Sequence, residues 1–351
     1  MRPASTISRR SLLGALGLIP VGRLLRAQQQ NPAPGYSTTV KVVNLFATVR
    51  NNKGQVVNDL TQNDFQLDED GQSQTIRYFS RETDLPLTLG LLVDTSGSQR
   101  AVLPEERTAS YRFLDKVMRE DKDMAFVIHF DFEVELLQDL TSSKATLRKS
   151  LDQLEIGTGR RQQGQRGQGG GGGYPGGGGR GRGGGRGRGG GGGGGTDLYD
   201  AVFLGADEIM KKQHGRKALI ILSDGVDTGS KETLFSAIES AQRSDTLVYS
   251  ILFADPDAYG FGVFGRGRLD ESDGKKVLQR ISRETGAHFF EVSKRMPIDK
   301  VYEALEEELR SQYSIGYTPD TKQTSSGYRL IHLTTKQKNL IVQTREGYYP
   351  S

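Results

Sequence analysis

The chain has 351 residues, enough for two domains or one large domain with a decorated edge, and enough to bury a substantial core without assembly. It contains no cysteine, which excludes disulfides, thiolate metal ligands and cysteine nucleophiles together. The formal charge of +4 conceals an acidic body: residues 1–27 hold five arginines and no acid, residues 157–195 hold seven and no acid, and setting those aside leaves about −8, which argues against wholesale attraction of nucleic acid.

The first 27 residues predict an export signal. Ser8-Arg9-Arg10-Ser11-Leu12-Leu13 precedes an apolar run to Val21, and Leu25-Arg26-Ala27 stands before Gln28-Gln29-Gln30. The pattern resembles a twin-arginine signal, with Leu12 where phenylalanine is commonest and Gly14 where lysine often stands. About ten apolar residues broken by Pro20 are too few for the ~20-residue helix that crosses a membrane. No later stretch is apolar for long enough. The expectation is a removed signal, no transmembrane span, and a location in the periplasm or at the cell surface.

Residues 38–80 read as a small antiparallel β unit: TTVKVVNLFATV, VVNDL, DFQLDED and QTIRYF, separated by NNKG and DEDG. Its acidic turn, Asp68 to Asp70, is better explained as a hairpin turn than as a calcium loop. Residues 86–312 change style. LPLTLGLLVD is a continuous apolar run, as in a strand buried on both faces of a parallel sheet. The helix-like ERTASYRFLDKVM follows, then MAFVIHF and VELLQDL as further buried strands and SSKATLRKSLDQL as a helix. After the glycine tract come the helix DLYDAVFLGADEIMKK, the strand KALIILS, the helix ETLFSAIESAQR and the strand TLVYSILF. A loop over 255–274 leads to the helix KKVLQRISRET and the strand AHFFEV. Strand and helix in rotation predict a doubly wound, mostly parallel α/β sheet. After the amphipathic helix IDKVYEALEEELRSQY, the strands YSIGYTP, YRLIHLTT and NLIVQTREGYY in 313–351 are expected to pair with the N-terminal β unit.

The candidate site begins where the first buried strand ends, at Asp94-Thr95-Ser96-Gly97-Ser98. Ligands of doubly wound sheets sit outside the carboxyl ends of strands where strand order reverses. Asp94, Ser96 and Ser98 are one carboxylate and two hydroxyls at alternate positions, which a turning loop can aim at one centre. Oxygen-only ligands suit a hard cation, Mg²⁺ above all, with Mn²⁺ or Ca²⁺ as alternatives. A set rich in neutral hydroxyls under-neutralises the metal and should attract an anionic group from a partner. The strand KALIILS runs into Ser223-Asp224-Gly225, again at a carboxyl end, and Thr196 opens a helix directly after the glycine tract.

In these residues the sequence resembles the von Willebrand factor type A domain and its metal-ion-dependent adhesion site: Asp-x-Ser-x-Ser at Asp94, Ser96 and Ser98, a distant threonine at Thr196, and a distant aspartate at Asp224. The resemblance implies that the serines and the threonine bind the metal directly or nearly so. It implies that the aspartates act often through water, and that a protein partner's carboxylate takes the open position. VNLFATVRNNKGQVVNDLTQNDFQLDEDG, LPLTLGLLVDTSGS, TDLYDAV, GRKALIILSDGVDTGS and LRSQYSIGYTP look like the von Willebrand A-related family of Acidobacteria, which is exported. That likeness spans about 38–350 apart from the glycine tract.

Competing readings carry less. Serine nucleophiles at Ser96 or Ser98 need a base. His129 and His332 sit in strands, His214 lies in a turn, and His288 begins a strand, so the histidines supply neither that base nor a metal site. Gly225 to Lys231 lacks the spacing of a phosphate loop. The acids Asp270, Glu271 and Asp273 fail the calcium-loop spacing. The tract 157–195, with 25 glycines, seven arginines and the lone aromatic Tyr174, cannot bury enough apolar surface to order itself. It is expected to be a disordered insertion. Lengthening a ~10-residue connection to ~39 residues adds only about 1.2 kcal/mol of closure entropy. The expected function is metal-dependent protein binding, non-enzymatic and without nucleic acid. The rivals are a metal-dependent enzyme or envelope-complex subunit, and RNA binding by the tract.

Overall fold

The computed structural model describes residues 42–81, 85–156, 196–253, 267–319 and 327–350, with the side chains of 267–272 outside that description. The signal expected at 1–27 and the tract at 157–195 lie outside the described residues.

The N-terminal part contributes β1 (Val43–Asn51), β2 (Phe65–Glu69), β3 (Gln72–Ser73) and β4 (Ile76–Arg81). The middle part runs β5 (Leu87–Asp94), α1 (Leu103–Val117), β6 (Met124–Phe130), β7 (Val134–Thr141), α2 (Lys144–Asp152), α3 (Leu198–Phe203), β8 (Arg216–Ser223), α4 (Leu234–Arg243), β9 (Leu247–Leu252), α5 (Gly267–Thr285) and β10 (Phe289–Glu291). The C-terminal part supplies α6 (Ile298–Arg310), β11 (Tyr313–Tyr317), β12 (Arg329–Thr335), β13 (Leu340–Gln343) and β14 (Gly347–Tyr348).

The middle part is a doubly wound α/β sheet of order β10-β9-β8-β5-β6-β7. Its neighbours are parallel except for β6 and β7. Side chains alternate between two cores. Leu89, Leu91 and Val93 of β5 pack with α1, α2 and α6 on one face, and Leu92 packs with α3, α4 and α5 on the other. All 8 residues of β5 are buried, which is why its sequence shows no polar alternation. β6 lies on one side of β5 and β8 on the other, so the chain winds outward both ways and opens a crevice at the carboxyl ends of β5 and β8.

Four segments differ from their sequence reading. VELLQDL is not a buried strand but β7, an antiparallel edge strand with Leu136 42% exposed. Residues 131–133 alone join it to β6, too short for the crossover a parallel neighbour needs. VVNDL is an isolated bridge, Arg50 with Val56, because Leu60 turns inward and its amide donates to the Tyr313 hydroxyl (3.0 Å). The helix expected over 197–212 keeps α geometry to Phe203, then continues as a π turn (Leu204–Ile209) and a 3-10 turn (Met210–Lys212). Ala206, Ile209 and Met210 still reach the core through this change of geometry. α5 begins at Gly267, inside the stretch expected as a loop. Gly274 looks like a breaker in the sequence, yet it is a contact: a Cβ there would lie 2.5 Å from the Asp224 carbonyl oxygen.

The terminal strands form two four-stranded sheets, β13-β1-β11-β4 and β14-β12-β2-β3, each mixing both chain ends. They close on one core that includes Leu45, Val49, Phe65, Leu67, Tyr313 and Ile331. Buried Glu69 of β2 pairs with Arg329 of β12 and accepts from the Tyr317 hydroxyl of β11 (2.6 Å), so its charge is compensated across both sheets. Asp70 and Gly71 join β2 to β3 at positive φ (51° and 78°), the left-handed pair a tight hairpin needs. Arg345 donates to Asp245 (2.7 Å) and to the Asn44 carbonyl (2.7 Å), fastening this part near the amino-terminal end of β9, away from the crevice. Among the described residues no helix is long and apolar enough to cross a membrane.

Candidate metal centre

The first wall of the crevice is the turn that leaves β5. Fully buried Asp94 anchors it: one carboxylate oxygen accepts from the Ser96 amide (2.9 Å) and the other from the Ser223 hydroxyl at the end of β8 (2.6 Å). Ser96 is extended (φ −64°, ψ 164°) and opens a 3-10 turn over Gly97–Gln99. That local geometry brings the Ser96 and Ser98 hydroxyl oxygens to 2.9 Å from each other, half-buried, in front of the buried acid.

The second wall is the loop after β8. Ser223 Oγ accepts from the Gly225 amide (2.9 Å), and Asp224, buried beside it, accepts from the Val226 amide (3.0 Å). The Gln99 amide, in the orientation its surroundings satisfy, donates to the Phe253 carbonyl (2.9 Å) and accepts from the Asp224 amide (3.3 Å). The third wall is the start of α3. The Thr196 amide donates to the Thr228 hydroxyl (2.9 Å), and the Thr228 amide donates back to the Thr196 carbonyl (3.0 Å). Amides of Tyr199 donate to Asp227 (3.2 Å) and Ser230 (3.0 Å), so the β8 loop satisfies the open end of the helix. The Asp197 amide donates to the Asp131 carbonyl (2.7 Å), fixing the same end to the exit of β6. Thus Asp94, Ser96, Ser98 and Asp224 are tied through direct bonds around Ser223 and Gln99, and Thr196 is tied to the Asp224 loop through Thr228.

Three residues here escaped the sequence reading: Ser223, Thr228 and Glu106. Glu106 lies in the first turn of α1 with both carboxylate oxygens buried and without a hydrogen-bond partner. The spacing of Leu103, Glu106, Ser110, Phe113 and Val117 marks one helical stripe, and all five are buried. An acid on that stripe was the available signal. Burial pushes Glu106 well above the usual carboxylate range, and the Asp94 and Asp224 charges push it further. Burial, then Asp224, push Asp94 up to about 7 against the hydrogen bonds from Ser223 and Ser96. The donor chemistry fits a hard divalent cation: half-exposed hydroxyls stand before buried carboxylates whose mutual repulsion a cation would relieve. Among the described residues no three His, Cys, Asp or Glu side chains are gathered closely enough to hold a metal by themselves.

A raised Asp94 implies a specific pH dependence. The folded protein holds a proton that the unfolded chain, with its ordinary value of 3.8, releases. Stability from this group is therefore fully present below about 4 and is lost as pH rises toward about 7. In EDTA, the thermal stability of the protein relative to Asp94→Asn is expected to fall between those limits by an amount on the order of 1–4 kcal/mol. Divalent cation, which displaces the proton, should abolish the fall. A relative stability that rises with pH in EDTA would contradict this assignment.

The histidines do not arm the serines. His129 Nδ1 lies 3.1 Å from the Thr95 hydroxyl and Nε2 lies 3.2 Å from Glu135, but Thr95 is fully buried and Ser96 and Ser98 face elsewhere. His288 Nδ1 contacts Gln343 (2.8 Å).

The chain matches no protein-family model and no curated protein. Several solved structures resemble it at low identity. The protein BatB from Bacteroides thetaiotaomicron is 14% identical, with 64% of this chain and 97% of that one covered and a TM-score of 0.42. The vWF domain of the type V pili tip protein Mfa5 from Porphyromonas gingivalis is 13% identical, covering 64% and 94%, with a TM-score of 0.42. Proximal thread matrix protein 1 from the mussel byssus, with a zinc-occupied MIDAS motif, is 14% identical over 70% of this chain and 50% of that one, with a TM-score of 0.43. At these scores the fold of this chain rests on its own strand order rather than on the likeness.

Proposed function

We propose that the protein is an exported, metal-dependent protein-binding module of the von Willebrand A type. A divalent cation, Mg²⁺ in the first place, is held by Ser96, Ser98 and Thr196 with Asp94 and Asp224 behind them, and an acidic group of a protein partner completes its shell. The observation that carries this reading is the paired hydroxyls of Ser96 and Ser98, 2.9 Å apart and open to solvent, before two buried acids at the switch point of the sheet. A cation in that position supplies the positive pole that an incoming carboxylate seeks. The likeness of the quoted segments to the exported Acidobacterial family supports periplasmic or surface location. Next to Thr196, Asp197 lines a cleft with Glu133, Glu135, Asp200, Glu208 and Glu232, against which Lys231 is the one basic lining residue. Its charge favours a partner that flanks its acidic group with basic ones.

The test is capture from envelope extract by the immobilised protein. Retention in Mg²⁺, release in EDTA, and no retention by the Ser96→Ala, Ser98→Ala double variant are expected. Capture indifferent to EDTA would sink the reading, and metal-dependent turnover of a phosphoester or peptide would replace it with an enzyme.

A further inference from the structure

Glu106 is the one feature of the crevice that the five-residue site leaves unexplained. A buried carboxylate normally has an arginine, a lysine or a set of amide donors to replace its lost water, and an uncompensated one costs several kcal/mol. Glu69 in the β sandwich follows that rule, with Arg329 and Tyr317 against it. Glu106 does not: both oxygens lack a partner, and the neighbouring charges that act on it are all acidic, Asp94, Asp224 and Glu105. One turn further along α1, Ser110 is satisfied by the Tyr302 hydroxyl of α6 (2.8 Å), so the helix face as a whole is not short of partners. Arg107 Nε and Tyr111 Oη of α1 also lack partners, but Glu106 is the carboxylate among these groups, and it lies at the end of α1 that follows the Ser96–Ser98 turn.

We infer that Glu106 is a third acidic group of the cation site, a positioning residue that acts across Asp94 and Asp224, so that the site retains its divalent cation before any partner arrives. This rests on the reading of the crevice as a divalent-cation centre. Two buried carboxylates and neutral hydroxyls balance a divalent charge only when both acids are ionised. A third acid, at the positive end of a 15-residue helix, makes the surroundings negative enough to hold the cation without a partner's carboxylate. The partner's acidic group then completes the shell of a cation already in place and is not needed to recruit it.

The experiment titrates the purified full chain with Mn²⁺ alone, followed by electron paramagnetic resonance, with no partner present. Wild type is expected to bind one Mn²⁺, Glu106→Gln to bind it about 10- to 100-fold more weakly, and Glu106→Asp, which keeps the charge, to lie between them. In EDTA, Glu106→Gln should melt at or above wild type, because the variant no longer buries an acid that nothing compensates; a purely structural glutamate would give the opposite order. Glu106→Met, apolar and similar in length, guards against a badly seated amide and should show the same loss of affinity. Equal Mn²⁺ affinity in wild type, Glu106→Gln and Glu106→Met overturns the inference and leaves the site reading standing. Wild type that binds no Mn²⁺ overturns both.

Discussion

Asp94→Asn is expected to lower divalent-cation affinity by on the order of 100-fold or more while leaving the metal-free protein at least as stable as the parent. The substitution removes one charge and little else. The asparagine oxygen can still accept from the Ser96 amide, and its NH₂ can donate to Ser223 Oγ once that hydroxyl turns, so both anchors of the loop survive. A unit charge about 4 Å from another is worth roughly 4 kcal/mol at an effective dielectric of 20, and more against a divalent ion, which sets the scale of the loss. In EDTA the balance reverses. Asp94 is fully buried near Asp224 and Glu106, so asparagine avoids the cost of burying an acid there. Mn²⁺ titration and melting in EDTA read the two halves separately. Parent-like affinity in the variant would remove Asp94 from the site.

Gly225→Ala should be the most destabilising single substitution in the crevice. Its φ of +82° already costs a side chain about 1–2 kcal/mol. A Cβ would also sit 2.3 Å from the Gly274 carbonyl oxygen and 2.7 Å from its carbon, which are backbone atoms of α5 and cannot rotate aside. Forcing α5 away from the β8 loop brings the total to about 3–5 kcal/mol. At roughly 2–4 °C per kcal/mol for a domain of this size, the melting midpoint should drop by on the order of 10 °C. Asp224 precedes this residue, so Mn²⁺ affinity should fall with it. Gly71→Ala is the control: φ is +78°, but nothing lies within 4 Å of its Cβ, so only the backbone cost applies. Similar melting of the two variants would mean that the approach of α5 to Gly225 is not tight.

The class of fold was legible in the sequence because burial leaves a local record. β5, β6 and β8 read as unbroken apolar runs since both of their faces meet helices, and α4 and α6 show apolar stripes since only one of theirs does. The first loop was legible too, because Asp94, Ser96 and Ser98 are brought together by a turn of their own making. Glu106 was not. Next to Glu105 it reads as one of two acids at a helix start, and the packing of α1 on the sheet separates an exposed glutamate from a fully buried one. β7 was misjudged for a related reason: its residues are apolar enough for a core strand, and the short turn after β6, not its composition, puts it at the edge.

By itself the sequence determined the period of each apolar pattern and which short loops carry clustered hydroxyls and carboxylates, since those properties depend on neighbours a few positions away. Tertiary structure alone decided that Asp94 meets Ser223, 129 residues on, that β1 lies between β11 and β13, and that buried Glu106 feels the charges of Asp94 and Asp224. The physical reason is that a charge reads the same in the sequence wherever it lies. Its energy depends on what replaces its water, and that is settled only when distant segments close around it.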